Sequence, residues 1–151
     1  MALALVAGAC SVFSPSNPER NMDVRETEVQ VWNDSMPGSR PRCNVTLGLR
    51  VRNTSGDTLR LHDPEVRIID AETAAPVRRF PPALLANEVP AKSVVLAPMD
   101  SIDLLFRSPS WGVEPIDRER HATVRISIRM LSNLEQPWTF TSSQTSIFVT
   151  Q

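Results

Sequence analysis

Residues 45–61 read Val45-Thr46-Leu47-Gly48-Leu49-Arg50-Val51-Arg52-Asn53-Thr54-Ser55-Gly56-Asp57-Thr58-Leu59-Arg60-Leu61. Val45, Leu47, Leu49 and Val51 alternate with Thr46, Gly48, Arg50 and Arg52, and a period of two puts the apolar set on one buried face of a sheet. The run stops at a cluster of turn formers, Asn53 to Asp57. Leu59 and Leu61 resume the alternation at once. The pattern predicts two strands joined across Asn53–Asp57 as a hairpin.

The same period extends in both directions. Val66 and Ile68 share a face with Arg67 opposite, and Pro64 is placed to bend or interrupt this strand. Val94 and Leu96, the Pro98-Met99-Asp100 turn, and Ile102, Leu104 and Phe106 predict a second hairpin. Ala122, Val124, Ile126, Ile128 and Met130 point inward from a late strand, with Arg125, Ser127 and Arg129 outward. A final pair lies near Trp138–Thr141 and Thr145–Val149, and an opening strand runs from Val24 to Trp32. Only Pro81–Glu88 suggests a turn of helix. Short alternating strands with no helices to cover a parallel sheet predict an all-β fold, an antiparallel β-sandwich of about seven or eight strands, with a small barrel as the alternative.

The composition fits one domain. Hydrophobic residues make up 41% and charged residues 22%, and the net charge is −1. That balance exerts no overall pull toward nucleic acid, so a nucleic-acid partner is not expected. The chain has 13 Pro, 5 Gly, no Tyr and a single lysine, Lys92, so its basic groups are almost all Arg.

Residues 1–9 form an uncharged apolar run that meets Cys10 and gives way to a polar, Pro-containing stretch. The run is too short to span a bilayer, which takes about 20 apolar residues. Ala7-Gly8-Ala9-Cys10 resembles the lipobox of bacterial lipoproteins, in which the cysteine carries the lipid. The resemblance implies a signal-peptide remnant at 1–9, a lipid-attachment cysteine and tether at 10–22, and a folded domain at 23–151. It implies a membrane partner through the lipid and a location in the bacterial cell envelope. A signal cleaved elsewhere, or a buried first segment, are the other readings of the same residues. Acylation of Cys10 would leave Cys43 a free thiol, best placed in the core; without acylation, a Cys10–Cys43 disulfide is open.

The segments Leu49–Leu59 and Leu96–Phe106 resemble strand–turn–strand units of immunoglobulin-like domains in exported bacterial proteins. That resemblance implies an immunoglobulin-like sandwich and leaves function open.

No Gly-x-Ser-x-Gly elbow, His-Glu-x-x-His or Gly-rich phosphate loop occurs, so no enzyme activity, cofactor or metal is expected. His62 and His121 lie near Asp63 and near Asp117 and Glu119, without metal-ligand spacing. By alternation, Arg50, Arg52, Arg60, Arg67, Arg125 and Arg129 all face outward. They would form a basic binding face if their strands shared a sheet, or pair with acids such as Glu26, Glu28 and Asp103. Trp111 falls in a loop, where it either closes the core or stands exposed to meet a partner. Trp32 points away from the Val29/Val31 face, and Trp138 is expected in the core. The functional expectation is a non-enzymatic, envelope-tethered accessory or protein-interaction module; the alternative is a binding domain for an anionic glycan, peptide or polymer through the Arg-rich face.

Overall fold

The computed structural model describes residues 18–134 and 136–150; the lipobox-like segment, with Cys10, lies outside them. A 3-10 turn (Pro18–Asn21) leads into eleven strands: β1 (Met22–Asp34), β2 (Arg42–Asn53), β3 (Leu59–Asp70), β4 (Pro76–Phe80), β5 (Ala83–Ala86), β6 (Val89–Ala91), β7 (Ser93–Leu96), β8 (Ser101–Arg107), β9 (Thr123–Ser132), β10 (Trp138–Thr141) and β11 (Thr145–Thr150). The all-β expectation holds. The strands form one mixed sheet, ordered β4-β3-β9-β11-β1-β2-β8-β5-β6, with β10 added to β9 and β7 to β3. It curls into a half-barrel.

Two departures from the expected antiparallel arrangement of seven or eight strands follow from the ends of the chain and from Pro76–Ala91. First, β11 pairs antiparallel with β9 at Thr145 and Ser146, then runs parallel to β1 from Ile147 to Thr150. That one parallel pair joins the two halves of the sheet. Second, Pro76–Ala91 adds three short strands. The predicted helical turn is instead β5, which pairs with β8 on one side and β6 on the other. The backbone groups along the edge of β8 require partners, and an extended Ala83–Ala86 supplies them.

The predicted alternation sets the core. Val45, Leu47, Leu49 and Val51 of β2, Val66 and Ile68 of β3, and Val124, Ile126, Ile128 and Met130 of β9 are all at most 2% exposed and belong to one cluster, with Trp138 at its heart. Cys43 joins them as a free, fully buried thiol. Where the alternation slips, the backbone shows why. A bulge at Thr27 in β1 sets its side chain against β2, and a Cβ on Gly48 would stand 2.6 Å from Thr27 Oγ1. A larger residue there would force the Thr27 side chain to move. At Pro64 the β3–β9 register shifts, and the strand bends without breaking.

Neither predicted hairpin exists. β2 pairs with β1 and β8, whereas β3 pairs with β4, β7 and β9, so Asn53–Asp57 is an arch from one half of the sheet to the other. β7 and β8 are likewise split between the halves, and Leu96–Ser101 is a second arch. Alternation reports which side chains face inward and says nothing about which strand lies alongside. The final two strands are not a pair either: β10 and β11 each lie on β9.

The two arches are locked together by Asn53, which continues the inward series of β2 and is fully buried. Its Nδ2 donates to the carbonyls of Asp57 (2.7 Å), Leu96 (3.1 Å) and Ala97 (3.2 Å). Its Oδ1 accepts from the N–H and hydroxyl of Ser55 at 2.9 and 2.7 Å. Its backbone N–H donates to Asp100 O, and its carbonyl accepts from Met99 N–H. Asn53→Ala leaves carbonyls of both arches without a donor inside the protein. Urea denaturation is expected to show a loss of about 2–4 kcal/mol; a loss under about 1 kcal/mol would mean the arches hold without the amide.

Candidate functional site

The connection from β8 to β9 crosses between the halves over residues 108–122, and it is held at several points. Cys43 and Val113 exchange backbone hydrogen bonds at 2.7 and 3.2 Å. The buried Asn33 side chain does the same with Ile116: Nδ2 donates to its carbonyl at 2.8 Å, and Oδ1 accepts from its N–H at 3.1 Å. Ile116 is thereby drawn into the core. Arg78 donates to the Glu114 and Pro115 carbonyls. At the far end, His121 Nδ1 hydrogen-bonds Asp70 Oδ2 at 2.7 Å. The His121 ring therefore pairs with the last residue of β3, distant in sequence, and only its backbone N–H meets Asp117, at the carbonyl.

Trp111 sits on this anchored loop and is 78% exposed, so it does not close the core. Gly112 follows at φ +76° and lies so close to Arg42 that a Cβ would meet the Arg42 side chain at 2.7 Å. The Arg42 guanidinium bridges Ser110 O and the Asp34 carboxylate. Arg40, Arg42, Pro41, Trp111 and Pro115 line a cleft of about 440 Å³. Beyond Arg42, on the outer face of the sheet, a second hollow is lined by Gln30, Trp32, Asn44 and Arg107. Trp32 is half-buried, and its register partner on β11 is the exposed Phe148. Outward aromatics and arginines thus cluster on both sides of Arg42. Alternation foretold the direction of Trp32, but Phe148, Arg40 and Arg42 join the cluster only through the β1–β11 pairing and the loop anchors.

The six outward arginines do not form one face. Arg50 and Arg52 lie on β2, in one half of the sheet, where Arg50 makes a two-pronged ion pair with Asp103 at 2.8 and 2.9 Å. Arg60, Arg67, Arg125 and Arg129 lie on β3 and β9, which adjoin in the other half. There Arg67 faces Arg79 of β4, directly opposite it, whereas Arg60 stands toward the other end of β3, opposite Val95 of β7. Alternation along β3 and β9 could not reveal Arg79, because the register of β4 was not legible. Glu65 receives Arg67 Nε and Arg79 Nε at 2.6 Å each. Its partial burial pulls its carboxyl upward, but the two arginines outweigh that and hold it below the usual range. Among the described residues, no carboxylate pairs with Arg125 or Arg129.

The nucleophile chemistry is constrained. Burial pushes the Cys43 thiol up to about 12, against a smaller opposing pull from Arg78, so it stays protonated at neutral pH. Asp70 and His121 form a dyad, yet no hydroxyl or thiol among the described residues hydrogen-bonds the other ring nitrogen of His121. No group of three or more His, Cys, Asp or Glu among the described residues is arranged to hold a metal ion.

No family model matches the chain, and no curated protein matches it significantly.

The Asp70 carboxyl is held well below the ordinary range, by the hydrogen bond from His121 first and then by those from Thr73 and the Glu72 N–H. A carboxyl whose pKa is lowered on folding stabilises the fold above its unfolded value, near 3.9, and that contribution fades as the pH falls below it. Asp70→Asn is therefore expected to lower the urea midpoint at pH 7 and to flatten its decline between about pH 5 and pH 2. Parallel acid limbs for the two proteins would show that Asp70 does not couple folding to protons.

Proposed function

We propose that this protein is a non-catalytic accessory module of the bacterial cell envelope, tethered through a lipid on Cys10, that binds a protein partner through the surface around Trp111. In this reading the curled sheet is an immunoglobulin-like sandwich whose two layers are joined by β11. The observation that carries the proposal is the combination of an indole 78% exposed with a loop that is hydrogen-bonded into the fold on both sides of it. An exposed tryptophan on a mobile loop loses conformational freedom on binding; one on a held loop has already lost much of it. Trp and Arg are the side chains that most often dominate protein interfaces. Here Trp111 stands beside Arg40 and Arg42, and Trp32, with Phe148 next to it, lies in the hollow on the other side of Arg42.

A photo-crosslinking residue at the exposed position 110, beside an intact Trp111, is expected to capture one defined envelope protein in cells. The same protein should lose its association with the Trp111→Ala variant by tenfold or more, while a crosslinker at the exposed Glu72 captures nothing specific. Equal capture from both positions would overturn the proposal. The tether has its own measurement: mass spectrometry of the mature protein is expected to find Cys10 at the N-terminus carrying acyl chains, and an unmodified Cys10 would remove the lipid anchor.

A further inference from the structure

The outer face of β3, β4, β9 and β10 lies in the half of the sheet opposite to β1 and β2, and the Trp111 reading does not use it. The register lines up its side chains in rows across the strands. One row holds Arg79, Arg67, Ser127 and Thr141; the next holds Glu65, Arg129 and Thr139; on the other side, Ile69 lies beside Arg125. Three arginines, Arg67, Arg79 and Arg129, therefore adjoin a single carboxylate, and Arg125 stands two rows away. Arg67 opposite Arg79 is a like-charge pair, which destabilises a sheet unless it is bridged, and Glu65 bridges it. Arg125 and Arg129 have no such explanation.

Charged residues on strands commonly protect an exposed edge from pairing with another chain. That role fits Arg79, because β4 ends the sheet. It does not fit β9, which has β3 on one side and β10 and β11 on the other. Arg125 and Arg129 stand on a central strand, about 13 Å apart along it, flanking Ser127; among the described residues no acid makes an ion pair with either, and Glu65, opposite Arg129 in the register, is engaged by Arg67 and Arg79. We infer that this face binds an extended anionic polysaccharide, with Arg125 and Arg129 gripping carboxylates and the hydroxyl-bearing Ser127 and Thr141 meeting sugar hydroxyls.

The chemistry favours that ligand over others. The guanidinium fork matches a carboxylate in two parallel hydrogen bonds, and spaced arginines suit a repeating charge better than one compact anion. No aromatic residue occupies these outward rows, so the base stacking that holds single-stranded nucleic acid has no platform here. The rows carry no run of apolar side chains that would enter a lipid layer.

The full chain, purified in mild detergent, can be titrated with polygalacturonate at low and moderate salt, with dextran as the uncharged control and duplex DNA as the competing polyanion. Polygalacturonate is expected to bind with an affinity that falls as salt rises, and dextran is not. Arg125→Gln with Arg129→Gln should weaken binding at least tenfold. Arg50→Gln with Arg52→Gln removes the same charge from the other half and should change it less than twofold. Trp111→Ala should leave it unchanged, which separates this site from the protein-binding surface. Should the β9 double variant fold poorly, Arg125→Lys with Arg129→Lys keeps the charge and removes the fork, and should still weaken binding by severalfold. The inference is overturned if polygalacturonate does not bind, if the β2 variant loses as much as the β9 variant, or if duplex DNA binds as tightly.

Discussion

The half-barrel depends on the buried amide of Asn53. A chain that passes repeatedly from one half of a curled sheet to the other must bend at the rim of its own core, where backbone carbonyls leave one strand pairing before they reach the next. A buried carbonyl without a donor costs about 1–3 kcal/mol, and bends of this kind bring several together. Asn53 answers three carbonyls from one side chain and two donors from the other end of the same amide. It thereby fixes where β2 stops, where β3 begins and how β7 hands over to β8. No apolar residue could take that position, although the alternation of β2 would otherwise call for one.

The same solution recurs around the rim. The buried polar residues among those described are Asn33, Thr46, Asn53, Asp70 and Ser142, and all but Thr46 sit where a connection leaves or rejoins the sheet. Asn33 imitates a strand partner for Ile116. Asp70 gathers the β3–β4 turn and the end of the long crossover through Thr73, Glu72 and His121. Ser142 accepts from Ile126 N–H at 2.9 Å as the chain turns toward β11. Polar satisfaction at the connections is what gives an apolar core of simple alternation one particular topology. A consequence reaches the surface: the crossover that carries Trp111 is fixed because its neighbours in the core are fixed.

What the sequence made legible follows from this division of labour. Inward faces could be read directly, since burial needs only the period of two, and Val45 to Val51, Val124 to Met130 and Trp138 all lie where that period puts them. Strand neighbours could not. The turn formers at Asn53–Asp57 serve an arch as well as a hairpin, and Asn-x-Ser chemistry is common to both. The one available signal was Asn53 itself, a polar residue that falls on the inward phase at the end of a strand. The outward residues inherited the same ambiguity. Arg67, Arg125 and Arg129 share a face because β3 and β9 adjoin, Arg50 and Arg52 do not because β2 belongs with β1 and β8, and Arg79 and Phe148 entered their clusters only through pairings that periodicity does not encode.

The two surfaces are free to differ because the strands beneath them divide their side chains so completely. On β9, Val124, Ile126, Ile128 and Met130 are essentially inaccessible to solvent, and they carry the packing of the strand. Arg125, Ser127 and Arg129 contribute little to that packing, and their identities are constrained mainly by what they meet outside. On β1 the division is similar near its end: Val31 and Asn33 are held inward while Trp32 turns out beside Asn44 and Phe148. A fold of this kind separates its stability, set by inward apolar residues and buried polar pins, from its surface chemistry. A basic, hydroxyl-lined face and an aromatic one can then occupy opposite halves of one small domain without either compromising the core.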